Sequence, residues 1–300
     1  MRKLNRRFSA GTVATLIVSG AVLFAQKQAT IFVTVVAPSS GPVAGLTAKD
    51  FVVQGGKAEV KDVVHADEPL AVEILVDVSR PPVGVTPPIQ DLRTALQSFV
   101  QKLRSAESSA RIGLTQVSNA AVPAVTLGAP ATELDKAIGT IAPGPDMSGS
   151  AVMMEGLQDA SHTLAEEPAP RRAVVSIDFG SSDSFPDTRV NGLAKDVFKT
   201  GVSVWAISVR PAVGQTATNG STDALYNVRD NAYNSIIKTN GGLRMTIVAA
   251  TGLKEQLQIV ANSLLSQYEL TIAGVDAAHA RDLKIATSGG AKVIPSVFAR

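Results

Sequence analysis

Hydrophobic positions along this chain fall into short continuous runs that alternate with stretches of helical periodicity. The clearest run, LAVEILVD at 70–77, carries Val72, Ile74 and Val76 with few polar interruptions, the pattern of a strand buried in a parallel sheet. Over 88–105 the period changes: Ile89, Leu92, Leu96, Phe99, Val100 and Leu103 recur every three or four residues and predict a helix with one apolar stripe. Further strands are predicted at 171–178 and 201–209, and a hairpin at 110–118 and 121–128, where Pro123 suits a sheet edge. Helices are predicted near 131–141, 150–164, 188–200 and 253–265. Strands interleaved with helices imply βαβ crossovers, hence an α/β fold with a doubly wound, mainly parallel, Rossmann-like sheet.

Both ends of the chain read as β structure instead. Residues 30–66 hold ATIFVTVV (from 29) and FVVQGGKAEVKDVV, with Gly55-Gly56 as a hairpin signal, and 267–300 hold SQYELTIAG (from 266), RDLKIAT and AKVIPSVFAR, with Gly289-Gly290 as another. Neither flank has enough strands to cover a face alone. The two are therefore expected to pair as one small antiparallel β domain, with the α/β block of 70–266 inserted between them; two separate decorations are the alternative.

Composition adds a compartment. With 45% hydrophobic and 18% charged residues the chain is globular. Residues 1–25 have the parts of a secretory signal: MRKLNRR, an apolar run from Phe8 to Phe24, and a small-residue cleavage point near Ala25. The expected location is secreted or periplasmic, with membrane anchoring through an uncleaved signal as runner-up. Removing Arg2, Lys3, Arg6 and Arg7 from the 28 basic residues leaves 24 against 26 acidic ones, a net −2. A nucleic-acid partner is therefore not expected. There is no Cys, so disulfides and thiolate metal sites are excluded.

Candidate chemistry concentrates where the 70–77 run ends. Asp77-Val78-Ser79 would stand just beyond the carboxyl end of a parallel strand, where such sheets bind ligands. An Asp-x-Ser-x-Ser run there would bind a metal, but Pro81 takes the place of the last Ser. His65, His162 and His279 are scattered, without zinc-ligand spacing, and neither a nucleophile elbow nor a phosphate-binding glycine loop occurs. Met153 and Met154 read as core filler. The segment 210–234 is the one long irregular stretch: either a partner-binding loop with Tyr226 and Tyr233 as anchors, or a helix over 222–238 whose tyrosines pack on the sheet.

Taken in order, these pieces resemble the von Willebrand factor type A (VWFA) domain family, specifically the bacterial VWFA-related proteins common in Acidobacteria. GPVAGLTAKDFVVQGGKAEVKDV resembles that group's segment before the domain, and LAVEILVDVSRP its first strand and metal loop. NSIIKTNGGLRMTI, LKEQLQIVANSLLSQYELTIAG and AKVIPSVFAR resemble its late helix, its following helix-to-strand segment and its closing strand.

The resemblance implies a cation site, the MIDAS motif, built from hydroxyls and a carboxylate on three loops. Asp77 and Ser79 match the first two positions, and Ser150 stands where the family has Thr. Aligning Gly180 with the family Gly puts Phe179 in the place of the Asp, so that Asp178 would serve only after a one-residue slip. The metal ligands that remain are Asp77, Ser79 and Ser150, a degenerate set in which Mg²⁺ is doubtful and no cofactor is expected. The implied function is an exported, non-enzymatic binding or adhesion module that recognises a protein or other envelope macromolecule without metal. Mg²⁺-dependent ligand binding and an envelope serine hydrolase using Ser79 or Ser150 are the alternatives.

Overall fold

The computed structural model describes residues 27–37, 41–54, 57–79, 88–144, 150–210, 221–280 and 282–299. The signal-like segment, Gly55-Gly56, Pro81 and the tip of the 210–234 stretch (211–220) lie outside them. The chain enters through β1 (Gln28–Ala37), β2 (Gly41–Pro42), β3 (Phe51–Gln54) and β4 (Glu59–His65). The α/β block follows: β5 (Leu70–Asp77), α1 (Ile89–Ala106), β6 (Arg111–Val117), β7 (Ala121–Val125), α2 (Ala131–Thr140), β8 (Ser150–Ala151) and α3 (Met153–Glu166). It continues with β9 (Arg171–Asp178), β10 (Ser182–Asp183), α4 (Val190–Thr200), β11 (Ser203–Val209), α5 (Ser221–Asn240), β12 (Gly242–Ile247) and α6 (Leu253–Leu265). Last come β13 (Tyr268–Ala273), α7 (Ala277–Ala280), β14 (Lys284–Thr287) and β15 (Lys292–Ala299).

The main sheet runs β12-β11-β9-β5-β6-β7, parallel except for β7, which pairs antiparallel with β6 at the edge. Every residue of β5 is buried, as its apolar run requires at the centre of such a sheet. One face packs Val72, Ile74, Val175, Ile177, Trp205 and Ile207 under α1, α2 and α6; the other packs Leu75, Val174, Val204 and Ala206 under α3, α4 and α5. Met153 and Met154 are fully buried in the second layer. The sheet is thus doubly wound.

Three local expectations change. Helix α3 begins at Met153 rather than at 150, because Ser150–Ala151 is held as a short strand against Ser182–Asp183. The late helix stops at Asn240, and GLRMTI is a strand: Gly241 and Gly242 have φ of 78° and 106°, which end the helix, and Leu243, Met245 and Ile247 then alternate onto the core. Finally, neither glycine pair joins a hairpin. Strand β3 pairs with β14, whereas β4 pairs with β13 and β15 with β1. The exchange makes two layers, with β3 and β14 covering Ile31, Val33, Leu270 and Ile272 on one face of the sheet β15-β1-β13-β4. Two hairpins in a single layer would have left that face in water.

The N- and C-terminal strands therefore share ladders, and the antiparallel sheet is tied to the α/β block at both crossings by one residue. Arg171, buried at the start of β9, donates to the carbonyls of Ala66, Glu68 and Leu264 and to Gln267 and Glu107. No helix among the described residues is long and apolar enough to cross a membrane.

Candidate functional site

Parallel register brings the candidate residues together. Val76 lies opposite Ile177, so the next step sets Asp77 beside Asp178, and Asp178 lies opposite Ser208 on β11. Period-2 alternation turns all three toward α5, on the face of Leu75, Ser176 and Ala206. Phe179 faces the other way, into the core under α1 and α6. Asp178, not Phe179, thus stands beside Asp77 in the observed register. No slip is involved, which corrects the alignment on Gly180. That glycine, at φ 84°, turns the chain so that its N–H donates to Asp178 Oδ1 over 3.2 Å.

Asp77 Oδ1 accepts the Ser79 N–H at 3.0 Å and the Ser79 hydroxyl, an Asx turn that fixes the strand end. Ser79 Oγ is also paired with Ser181 Oγ. The second Asp77 oxygen accepts from Arg229 Nη1 at 2.9 Å. This arginine, on α5, donates through Nε to Asp183 Oδ2 and through Nη2 to the Ser182 carbonyl, both at 3.1 Å, and its Nη1 is 3.5 Å from Asp178 Oδ1. The β8–β10 pairing brings the backbone of Ser150 opposite Ser182, next to that carbonyl. Asp77 thus meets a guanidinium that the sequence did not lead us to expect, with Ser79 bonded to the same carboxylate and the Ser150 backbone paired one strand away.

A second tier lies outward. Arg210 reaches Asp178 and, at 3.1 Å, Asp230, and Arg244 reaches Asp230 at 2.5 Å. The Arg210 N–H donates to the Ile247 carbonyl at 2.8 Å, tying the ends of β11 and β12, and Val248 beyond is 71% exposed. Burial resists ionisation of Asp178, but Arg210 and Arg229 outweigh it and its pKa is lowered. At Asp183 burial dominates and the pKa is raised despite Arg229. Burial likewise opposes the charge on Arg229, yet Asp77, Asp178 and Asp183 raise its pKa, so it is cationic at any relevant pH.

Tyr233 is core: its hydroxyl pairs with Ser176, and burial followed by Asp178 pushes its pKa up. Its helix follows the second of the two readings of 210–234; the Tyr226 side chain lies outside the described residues. The histidines pair with separate carboxylates on different elements, His65 with Asp67, His162 with Asp196 and His279 with Asp276. Sequence reasoning missed Arg229, Arg210 and Asp183. A signal existed for the first: Arg229 stands three, four and seven residues before Ala232, Tyr233 and Ile236, a charge inside an apolar stripe.

Strand order, the acid at the end of the central strand and the helix layers on both faces together define a doubly wound α/β domain with a charged carboxyl edge. The chain belongs to the von Willebrand factor type A domain family, whose model matches residues 72–258, from β5 into α6. The strands of the sheet β15-β1-β13-β4 and of the pair β3-β14 fall outside that match. Among solved structures, the chain is similar to the pilus adhesin SpaC from Lactobacillus rhamnosus GG, with TM-score 0.50 and 11% identity over 84% of this chain and 42% of that one. A mutant of the PilB minor pilin from Streptococcus sanguinis also gives TM-score 0.50, with 10% identity over 68% and 63%. The vWF domain of the type V pili tip protein Mfa5 from Porphyromonas gingivalis gives 0.47 and 12% over 67% and 96%. The first two likenesses show a common fold. A search of curated proteins returns no match.

Proposed function

We propose that this protein is an exported, non-enzymatic VWFA binding module that engages a protein partner at the carboxyl edge of its parallel sheet without a metal ion. The observation that carries this reading is Arg229. A divalent ion at this edge needs carboxylate and hydroxyl oxygens free to coordinate it. Here the oxygens of Asp77, Asp178 and Asp183 are bonded to guanidinium, hydroxyl and backbone donors. A guanidinium delivers the positive charge and, unlike an ion, is covalently retained. A second cation in contact with it would be repelled.

The surface offered to a partner is then the outer tier of Arg210, Asp230 and Arg244, together with the exposed Val248 just past the end of β12. Export rests on the N-terminal signal pattern, and the pilus adhesin and minor pilin of like fold suit it. Hydrolysis by Ser79 fits less well, because its hydroxyl is engaged by Asp77 and Ser181 and the three histidines pair elsewhere. Titration with Mg²⁺ and Mn²⁺, read by calorimetry and thermal shift, tests the reading. No response at millimolar ion is expected; saturable binding with a rise in Tm would overturn metal independence.

A further inference from the structure

Away from that edge, the centre of the sheet holds a second charged group that the binding reading does not use. Glu73 sits mid-strand in β5 between Ala71 and Leu75, and it is 5% exposed. Thr115 donates to Oε1 at 2.8 Å; among the described residues no hydrogen bond reaches Oε2 and no cation is paired with the carboxyl. The neighbouring strand yields space for it. Gly113 lies opposite Glu73, and a Cβ at Gly113 would meet Oε2 at 2.0 Å. A carboxyl so placed, with room made for it and one bond to satisfy it, is costly unless something else compensates its charge.

The carboxyl opens on a cleft of about 140 Å³ between the edge strand β7 and α3, lined by Thr115, Val125, Leu127, Asp159 and Ala160 beside Glu73. At roughly 30 Å³ per small group, the space holds on the order of five non-hydrogen atoms. We propose that this cleft is a second binding site, and that it takes the side chain of a lysine on a protein partner, with Glu73 as its anionic anchor. The match is chemical at each level. An ammonium brings three donors to a carboxyl with one oxygen unfilled, with Asp159 and the Thr115 hydroxyl nearby. Its four methylenes would lie along Val125, Leu127 and Ala160, as lysine stems do on apolar surface. Burial, only partly offset by Thr115, holds the Glu73 carboxyl at about 7, so the site carries an incipient charge that an arriving cation completes. Glu73 precedes Asp77 by four residues, about 13 Å along the strand, which separates this site from the Arg229 cluster.

The test uses the full chain at pH 8 and matched ionic strength, titrated with n-butylammonium, Nα-acetyl-lysine methylamide and its Nε-acetylated counterpart, and followed by amide chemical shifts. Saturable shifts at Thr115, Val125 and Leu127 are expected with the first two probes and not with the third. Glu73→Gln should weaken binding about tenfold or more. Ala160→Leu, which fills the cleft and leaves the carboxyl in place, should abolish it. Absence of saturation by roughly 100 mM, an affinity too weak to matter, would overturn the site. Shifts unaltered in Glu73→Gln would do the same. Binding of butylammonium without the lysine amide would overturn the partner lysine as occupant.

Discussion

Arg229 and Asp77 meet in a fully buried ion pair, Nη1 to Oδ2 at 2.9 Å, with side chains 1% and 0% exposed. One comes from α5 and the other from the end of β5, 152 positions apart. The pair places an arginine where the resemblance to other VWFA domains puts a metal ion. It also clamps α5 against the strand ends, since the same guanidinium holds Asp183 and the Ser182 carbonyl. The cluster is therefore both the fold's lock and the floor of the proposed binding edge.

Removing the arginine should be expensive and informative. Arg229→Ala leaves Asp77, Asp178 and Asp183 without their shared partner, and breaking a buried pair from one side costs about 3–5 kcal/mol. Urea unfolding followed by Trp205, the one tryptophan and a buried one, measures it. Arg229→Lys should recover little, because an ammonium cannot serve three acceptors in one plane. The vacated space should also become a cation site. We expect Mg²⁺ to raise the Tm of Arg229→Ala and leave that of the wild type unchanged. Equal insensitivity of both would show that the carboxylates alone do not form one.

Glu73 sets a pH dependence of opposite sign to the usual acid. Its folded pKa of about 7 lies above the ordinary 4.5, so it binds a proton more readily when folded. The resulting stability is fully present below pH 4.5 and is lost as pH rises through 7; a shift of that size corresponds to about 3 kcal/mol at most. Glu73→Gln should accordingly be more stable than wild type at pH 8 by about 2 kcal/mol and nearly equal at pH 4.5. Asp178 acts in the reverse sense: its lowered pKa makes its contribution present above the ordinary 3.8 and lost as pH falls below it. Urea midpoints between pH 3 and 9 separate the two.

Much of the fold was legible because its signals are local. The runs at 70–77, 171–178 and 201–209 and the stripe of α1 are each contained in one element, and all are found where periodicity puts them. Partner choice among the flanking strands was not: Gly55-Gly56 and Gly289-Gly290 suggest hairpins, but covering a second face outweighs local pairing. The site was half legible. Asp77 and Ser79 declare themselves by following an apolar run. Arg229 joins them only through tertiary packing, and the Asp178 assignment depended on a strand register that a glycine match could not supply.

Arg171 offers a test of how the two sheets are joined. Its guanidinium satisfies three carbonyls, one amide oxygen and the Glu107 carboxylate from a buried position. Arg171→Met keeps much of the volume but strands those acceptors, so a loss of about 3–5 kcal/mol is expected. Because the lost bonds span 66–68 and 264–267, the antiparallel strands should loosen first. Hydrogen exchange should quicken in β4 and β13 more than in β5 and β9. Uniform acceleration through all four strands would mean the joint is not where the sheets are held.

Gly242 tests whether the edge strand β12, absent from the sequence-based expectation, is built on backbone contact. A Cβ there would stand 1.9 Å from the Val204 carbonyl oxygen, and its φ of 106° strains any side chain besides. The obstacle is backbone on the adjacent strand, which cannot rotate aside. Gly242→Ala must therefore displace the start of β12 from β11, breaking the pairing that runs from Val204–Gly242 to Val209–Ile247. The cost should exceed about 3 kcal/mol, more than the roughly 1 kcal/mol typical of a point substitution. Its effect should also reach the binding edge, since the far end of the same ladder carries Ile247, whose carbonyl accepts from Arg210. Gly252→Ala is the control: its Cβ would meet Ile247 at no closer than 3.6 Å, so urea unfolding should show a change within about 1 kcal/mol. Equal destabilisation by the two substitutions would remove the close approach at Val204 as the reason for glycine at 242.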